Sequence, residues 1–188
     1  SKPFERAPLY AEETPQILFV GRLQPRKRVD TLLHALAALP MKQKPRLVIV
    51  GDGPDRSRLE MLAWQVYPQT TFAGAKHGAE LEPYFATADL FILPGTGGLA
   101  VQQAMAHSLP VIVGKADGTQ GELVRPENGW VLPDDSQHAL TKAIQQALSD
   151  LPALRRKGLA SHRIVSEEVN IEAMVDTFTR AIETVLKA

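Results

Sequence analysis

The chain contains no cysteine, which excludes disulfides, thiolate catalysis and cysteine-based zinc sites. It also lacks net charge: Lys+Arg and Asp+Glu number 21 each. No global field would hold it on nucleic acid or an acidic membrane, so any anion binding must be local. No apolar run approaches the ~18 residues of a membrane span, and the N-terminus lacks the apolar stretch of a signal peptide. The five histidines, His34, His77, His107, His138 and His162, show no metal-ligand spacing, so no metal and no resident cofactor are expected. No GxGxxG follows the first apolar run, and "GDGPD" (Gly51–Asp55) has neither the spacing nor the lysine of a P-loop. A soluble, cytosolic domain is the expectation that survives these absences.

What is present is an alternation. With 188 residues, 44% of them apolar, the chain can bury one sizeable α/β core. Residues 1–14 carry two prolines and no period, and read as a lead-in or linker. "QILFV" (Gln16–Val20) is a short continuous apolar run, as expected of a strand buried on both faces. Val29, Leu32, Leu33 and Leu36 then repeat at helical spacing until Pro40. "RLVIV" (Arg46–Val50), a helical stripe at Leu59, Leu62, Ala63 and Val66, and a strand at Thr71–Gly74 continue the pattern. It goes on with "AELEPYFATA" as helix, "DLFILP" (Asp89–Pro94) as strand, "GLAVQQAMAH" as helix and "PVIVG" (Pro110–Gly114) as strand. "NGWVLP" (Asn128–Pro133) is a last short strand, and Leu140, Ala143, Ile144, Ala147 and Leu148 mark another helix. A final helix is expected with Asn170 as its cap and Ile171, Met174, Val175, Phe178, Ile182 and Val185 on one face. Strand and helix alternating without hairpin turns predict a Rossmann-like, doubly wound parallel sheet.

In such a sheet, ligands sit beyond the carboxyl ends of the strands. That places on one rim the loops Gly21–Arg28, Gly51–Asp55, Gly74–Gly78 and Pro94–Leu99. The first crowds four cations, Arg22, Arg26, Lys27 and Arg28, ahead of a helix whose N-terminus is the positive end of its dipole. The last sets Gly95, Gly97 and Gly98 before another helix, where glycines admit a close backbone approach and free amides attract anions. Arg22 and Lys27 facing those amides would clamp a phosphate or diphosphate. Arg26 and Arg28 read as solvated and receive no role. Asp52 reads as a turn former, His107 as a helix C-terminal cap or surface residue, and Glu122 as a backbone cap.

Four segments, in this order, resemble the C-terminal, donor-binding half of a GT-B glycosyltransferase of the large retaining group 1 family. They are "ILFVGRLQPRKRVDTLLHAL", "LVIVGDGPDRSRLE", "FAGAKHGAELEPYFATADLFILP" and "GLAVQQAMAHSLPVIVGKADGTQGELVRPENGWVLP". The resemblance implies that Arg22 and Lys27, after Gly21, bind the diphosphate of a UDP-, GDP- or ADP-hexose and stabilise the leaving group without a metal. It implies that Ala75, Lys76 and His77 hold the nucleobase and that the amides of Gly98 and Leu99 approach the phosphates. Where the family usually has two glutamates, this chain has Gly95 and Gln103. Gln103 can still hydrogen-bond the ribose, and Thr96, Gly97 or backbone groups would stand in at the sugar. The resemblance further implies a saccharide or lipid-linked acceptor bound by an N-terminal domain outside this sequence. The last helix, 166–188, would pack on that half. The product would be a polysaccharide or glycolipid, made in the cytoplasm with peripheral attachment at the inner face of the membrane. Two other readings are a degenerate GT-B domain acting as a binding or scaffold module, and a sugar-nucleotide epimerase, from which the "GRLxxxK" spacing and the "QAMA" helix point away.

Overall fold

The computed structural model describes residues 2–10, 13–40, 44–115 and 122–168; the helix expected around Asn170–Val185 lies outside the described residues. The strands are β1 (Gln16–Val20), β2 (Arg46–Val50), β3 (Thr70–Gly74), β4 (Leu90–Leu93), β5 (Val111–Val113) and β6 (Gly129–Val131). The helices are α1 (Val29–Ala37), α2 (Arg56–Val66), α3 (Glu82–Thr87), α4 (Leu99–Ala106), α5 (Gln137–Leu148) and α6 (Leu151–Glu168). Pro25–Lys27 forms one 3-10 turn, with Pro25 supplying a preset φ at its start.

All pairings are parallel and the strand order is β3-β2-β1-β4-β5-β6. Ile17 lies beside Leu47 on one side and Leu90 on the other. The chain steps leftward from β1 through β3 and then restarts at β4, so β1 and β4 flank the point where winding reverses. Crossovers between parallel strands are right-handed as a rule, which sets α1 and α4 on opposite faces of this strand order. Helix α1 packs on α2 and α5, and α4 packs on α6. The central strands β4 and β5 are fully buried, which is why they read as unbroken apolar runs rather than alternations. The core is continuous from Ile17, Phe19 and Leu33 through Phe91 and Ile112 to Ile144 and Leu154.

The lead-in differs from expectation. Its described residues form no helix or strand, yet Arg6 is driven into the molecule. Its guanidinium donates to the carbonyls of Phe85 (2.6 Å), Ala86 (3.2 Å), Ala88, His107 (2.8 Å) and Ser108 (3.2 Å). These are the C-terminal ends of α3 and α4, where unpaired carbonyls concentrate negative charge. Burial and then the charge of Arg155 push the Arg6 pKa down to about 10, so it stays charged at neutral pH. No periodicity betrays such an anchor, because the signal is one residue long.

Candidate functional site: a cation and glycine cradle at the switch point

The rim loops of β1, β2 and β3 are laced together by their backbones. Gly21 N donates to Val50 O (3.0 Å), Leu23 N to Asp52 O (2.9 Å) and Gly51 N to Gly74 O (2.8 Å). Above this lacing lies a cleft of about 530 Å³, lined among others by Gly21, Arg22, Asp52, Ala75, Lys76 and His77. Three of the residues expected to hold a base therefore do share one cleft with Arg22. Asp52 is the turn former expected, accepting from Gly53 N at 2.7 Å, but it also faces this cleft. Its carboxyl is held below the usual range by the Gly53 amide first, then by Arg56, with the Arg22 charge adding to the effect.

Lys27 stands beside the cleft rather than in its lining. The side chain is buried, at 9% exposure, and runs between two glycines. A Cβ on Gly21 would lie 3.8 Å from Lys27 Cε, and one on Gly97 would lie 2.6 Å from Lys27 Nζ. The ammonium donates to the carbonyl of Thr96, immediately ahead of Gly97 and the Gly98 cap of α4. An ammonium has three donors, so two remain for a ligand. Burial first, and the charge of Arg26 second, hold its pKa below the ordinary lysine value. Lys27 and the start of α4 are thus together, and Gly21 joins them to the cleft where Arg22 lies.

The loop between β4 and α4 is short, and its glycines have different reasons. Gly95 is a matter of space: a Cβ there would fall 2.1 Å from Arg26 O and 2.6 Å from Lys27 Cα. No side chain, glutamate included, fits at Gly95 without moving that backbone. Gly97 is a matter of conformation, with φ +145°, a region that side chains avoid. Thr96 Oγ1 accepts from Arg26 Nη1 at 3.0 Å, which leaves its O–H to donate. Leu99 is 72% exposed, so only its amide is of interest. Gln103 sits on α4, its carbonyl accepting the backbone N–H of His107 (3.1 Å) and bonded to the His107 ring at 2.8 Å. His107 caps the end of α4 as expected, and its other ring nitrogen meets Glu82 at 2.7 Å.

The four crowded cations now have separate fates. Arg22 lines the cleft, Lys27 packs on the glycines, and Arg26 ties to Thr96 and to Gln24 Oε1 (2.9 Å). Arg28 is not simply solvated. It takes the left-handed conformation, φ 58°, as the cap of α1 and pairs with Asp135 at 2.6 Å. Asp30 in the first turn further offsets the dipole of α1. Arg26 is exposed, as expected of a solvated arginine, but its tie to Thr96 could not be foreseen, since an arginine beside other cations carries no spacing that points to such a partner. Among the described residues no group of three His, Cys, Asp or Glu side chains gathers as a metal site would.

A parallel sheet wound in this order, with a cationic, glycine-lined rim at its switch point, defines a Rossmann-like domain. The family described as glycosyl transferases group 1 matches residues 1–161, and the chain belongs to that family. It is 37% identical over 155 residues to a GDP-mannose-dependent alpha-mannosyltransferase of Mycobacterium tuberculosis, covering 80% of this chain and 38% of that protein. Among solved structures, the sucrose-phosphate synthase of Thermosynechococcus elongatus superposes with a TM-score of 0.82 at 29% identity, over 95% of this chain and 47% of that one. HepE of Anabaena in complex with UDP shares the fold, with a TM-score of 0.81 at 21% identity, over 91% of this chain and 49% of that one. These neighbours are GT-B glycosyltransferases, and the chain spans less than half the length of each of these three proteins.

Proposed function

We propose that residues 1–188 form the donor-binding domain of a retaining, metal-independent glycosyltransferase that moves a hexose from a nucleoside diphosphate to a polysaccharide or glycolipid acceptor. The observation that carries this reading is the buried Lys27 ammonium set against Gly97 at the start of α4, with Gly21 linking it to the Arg22 cleft. The base and ribose would lie in the cleft against Ala75, Lys76 and His77, and Gln103 would meet the ribose hydroxyls. The diphosphate would lie across Gly21 towards Lys27 and the amides of Gly98 and Leu99. As the glycosidic bond breaks, charge develops on the departing diphosphate, and Arg22, Lys27 and the helix amides are placed to stabilise it. Two cations and a helix end do what a divalent ion does elsewhere, so no metal is required.

Both GDP-mannose-dependent relatives and a UDP-bound neighbour are similar to this chain, which supports GDP and UDP sugars as candidates; ADP sugars stay as a third. No helix among the described residues is long and apolar enough to cross a membrane, and we place the protein in the cytoplasm, attached peripherally at the inner membrane face. The acceptor would be bound by a second domain. The test is titration of the chain with UDP, GDP and ADP by calorimetry or NMR. Saturable binding of one of them is expected, and none at millimolar concentration would overturn the assignment. A second reading, a domain that binds without catalysing, is favoured by the lack of room for a carboxylate at Gly95. Sugar transfer by the full-length protein would eliminate it.

A further inference from the structure

We propose that Arg26 is a positioning residue for the donor's pyrophosphate, acting through Thr96 to hold the Gly95–Gly98 loop and the Lys27 ammonium in one arrangement. The inference rests on the nucleotide-sugar reading above and assigns a role to a side chain that composition and spacing leave idle.

Thr96 is bound from three directions. Its hydroxyl accepts from Arg26 Nη1 (3.0 Å), its amide donates to Arg26 O (3.3 Å), and its carbonyl accepts from Lys27 Nζ. The Arg26 side chain is itself steadied by Gln24 Oε1 at 2.9 Å. Gly95 presses on Arg26 O and Lys27 Cα so closely that a methyl group would not fit. The cation loop of β1 and the glycine loop of β4 therefore form one unit across the switch point. The Thr96 carbonyl is the only hydrogen-bond partner of Lys27 Nζ among the described residues, so the direction of the ammonium depends on where that carbonyl points. An untethered Thr96, between two glycines in a five-residue loop, would be free to rotate its peptide planes. The Arg26 fork removes that freedom. Its charge also disfavours a second cation at Lys27, an arrangement that an arriving dianion relieves.

The experiment compares Arg26→Gln, Arg26→Lys, Thr96→Val, Thr96→Ser and the Arg26→Gln/Thr96→Val pair in the whole chain, with UDP, GDP, UMP and GMP as probes. For whichever diphosphate the unaltered chain binds, Arg26→Gln and Thr96→Val each weaken binding by roughly five- to tenfold. The pair is no weaker than the worse single variant. Thr96→Ser recovers most of what Thr96→Val loses, and Arg26→Lys, which keeps the charge without the fork, does not restore affinity. The monophosphates change less than twofold. This split between diphosphates and monophosphates is the readout that a merely structural role would not move, because a loosened fold would weaken both alike.

Loss on Arg26→Gln with none on Thr96→Val means that Arg26 touches the phosphate directly, and overturns the positioning role. Additive losses in the pair overturn it as well, as does affinity unchanged in both. If the unaltered chain binds no nucleotide at all, it is the nucleotide-sugar reading itself that has failed. Both side chains lie at the surface or half-buried, so the variants are expected to fold, and thermal melts within a few degrees of the parent verify this.

Discussion

Replacing Gly97 by alanine isolates the contact on which the diphosphate reading depends. The new methyl would lie 2.6 Å from Lys27 Nζ and 3.3 Å from Leu93 Cδ2. The first neighbour is the tip of a flexible side chain, so Lys27 must swing away rather than the backbone break. Holding alanine at φ +145° costs about 1–3 kcal/mol. For a chain of this size each kcal/mol lowers Tm by about 2–4 °C, so a folded protein with a Tm reduced by roughly 2–12 °C is expected. Displacing the ammonium removes a charge-assisted hydrogen bond worth about 1.5–3 kcal/mol, or roughly ten- to a hundredfold in Kd for UDP or GDP. Calorimetric titration measures the second effect and scanning calorimetry the first. A double-mutant cycle with Lys27→Met separates cause from coincidence, because Gly97→Ala should then weaken binding no further. Wild-type affinity in Gly97→Ala, or full additivity with Lys27→Met, would refute the idea that Lys27 grips the ligand over this glycine.

Three further expectations follow from the same geometry. Gly95→Glu, which would bring back the residue usual in the family, should misfold or melt well below the parent because its Cβ meets backbone at 2.1 Å, whereas Gln103→Glu on half-buried α4 should melt normally; equal melting of the two would show that the loop yields. Arg6→Ala should cost about 2–4 kcal/mol, since several carbonyls lose a charged donor at once, and a Tm shift of only a degree or two would mean that water replaces the guanidinium. Lys27 titrates below its ordinary value of 10.5, through burial first and Arg26 second. Diphosphate affinity should therefore be full at neutral pH and fall as pH rises through that lowered pKa, while fold stability rises over the window between it and 10.5, where the unfolded chain holds the proton and the folded one does not. Affinity flat to pH 10.5 would show that Lys27 is not a ligand.

The strands were legible because β1, β4 and β5 are buried on both faces, and burial forces an apolar run that nothing polar can interrupt. The helices were legible where one face is covered, as in α1 and α5. Alternation alone does not encode where winding reverses: that β4 lies beside β1 depends on pairings far apart in the chain, such as Leu18 with Phe91. In the site, Lys27 and the glycine-led helix could be read because each carries its own chemistry. The Arg26–Thr96 tie could not, since neither residue has any pattern apart from the other. Gly95 was read as a place of close backbone approach, and the neighbour that approaches it, the backbone of Arg26 and Lys27, could not be named from the sequence because it lies far away along the chain.

The Arg6 anchor has a mechanical consequence. Helix α4 is eight residues, roughly 12 Å of rigid rod at 1.5 Å per residue. One end of it cups the proposed anion; the other is gripped by a guanidinium from the lead-in. Tension on residues 2–6 would thus pull on the strut that holds the ligand rather than on a loose tail, and so the donor cradle has a handle on its far side.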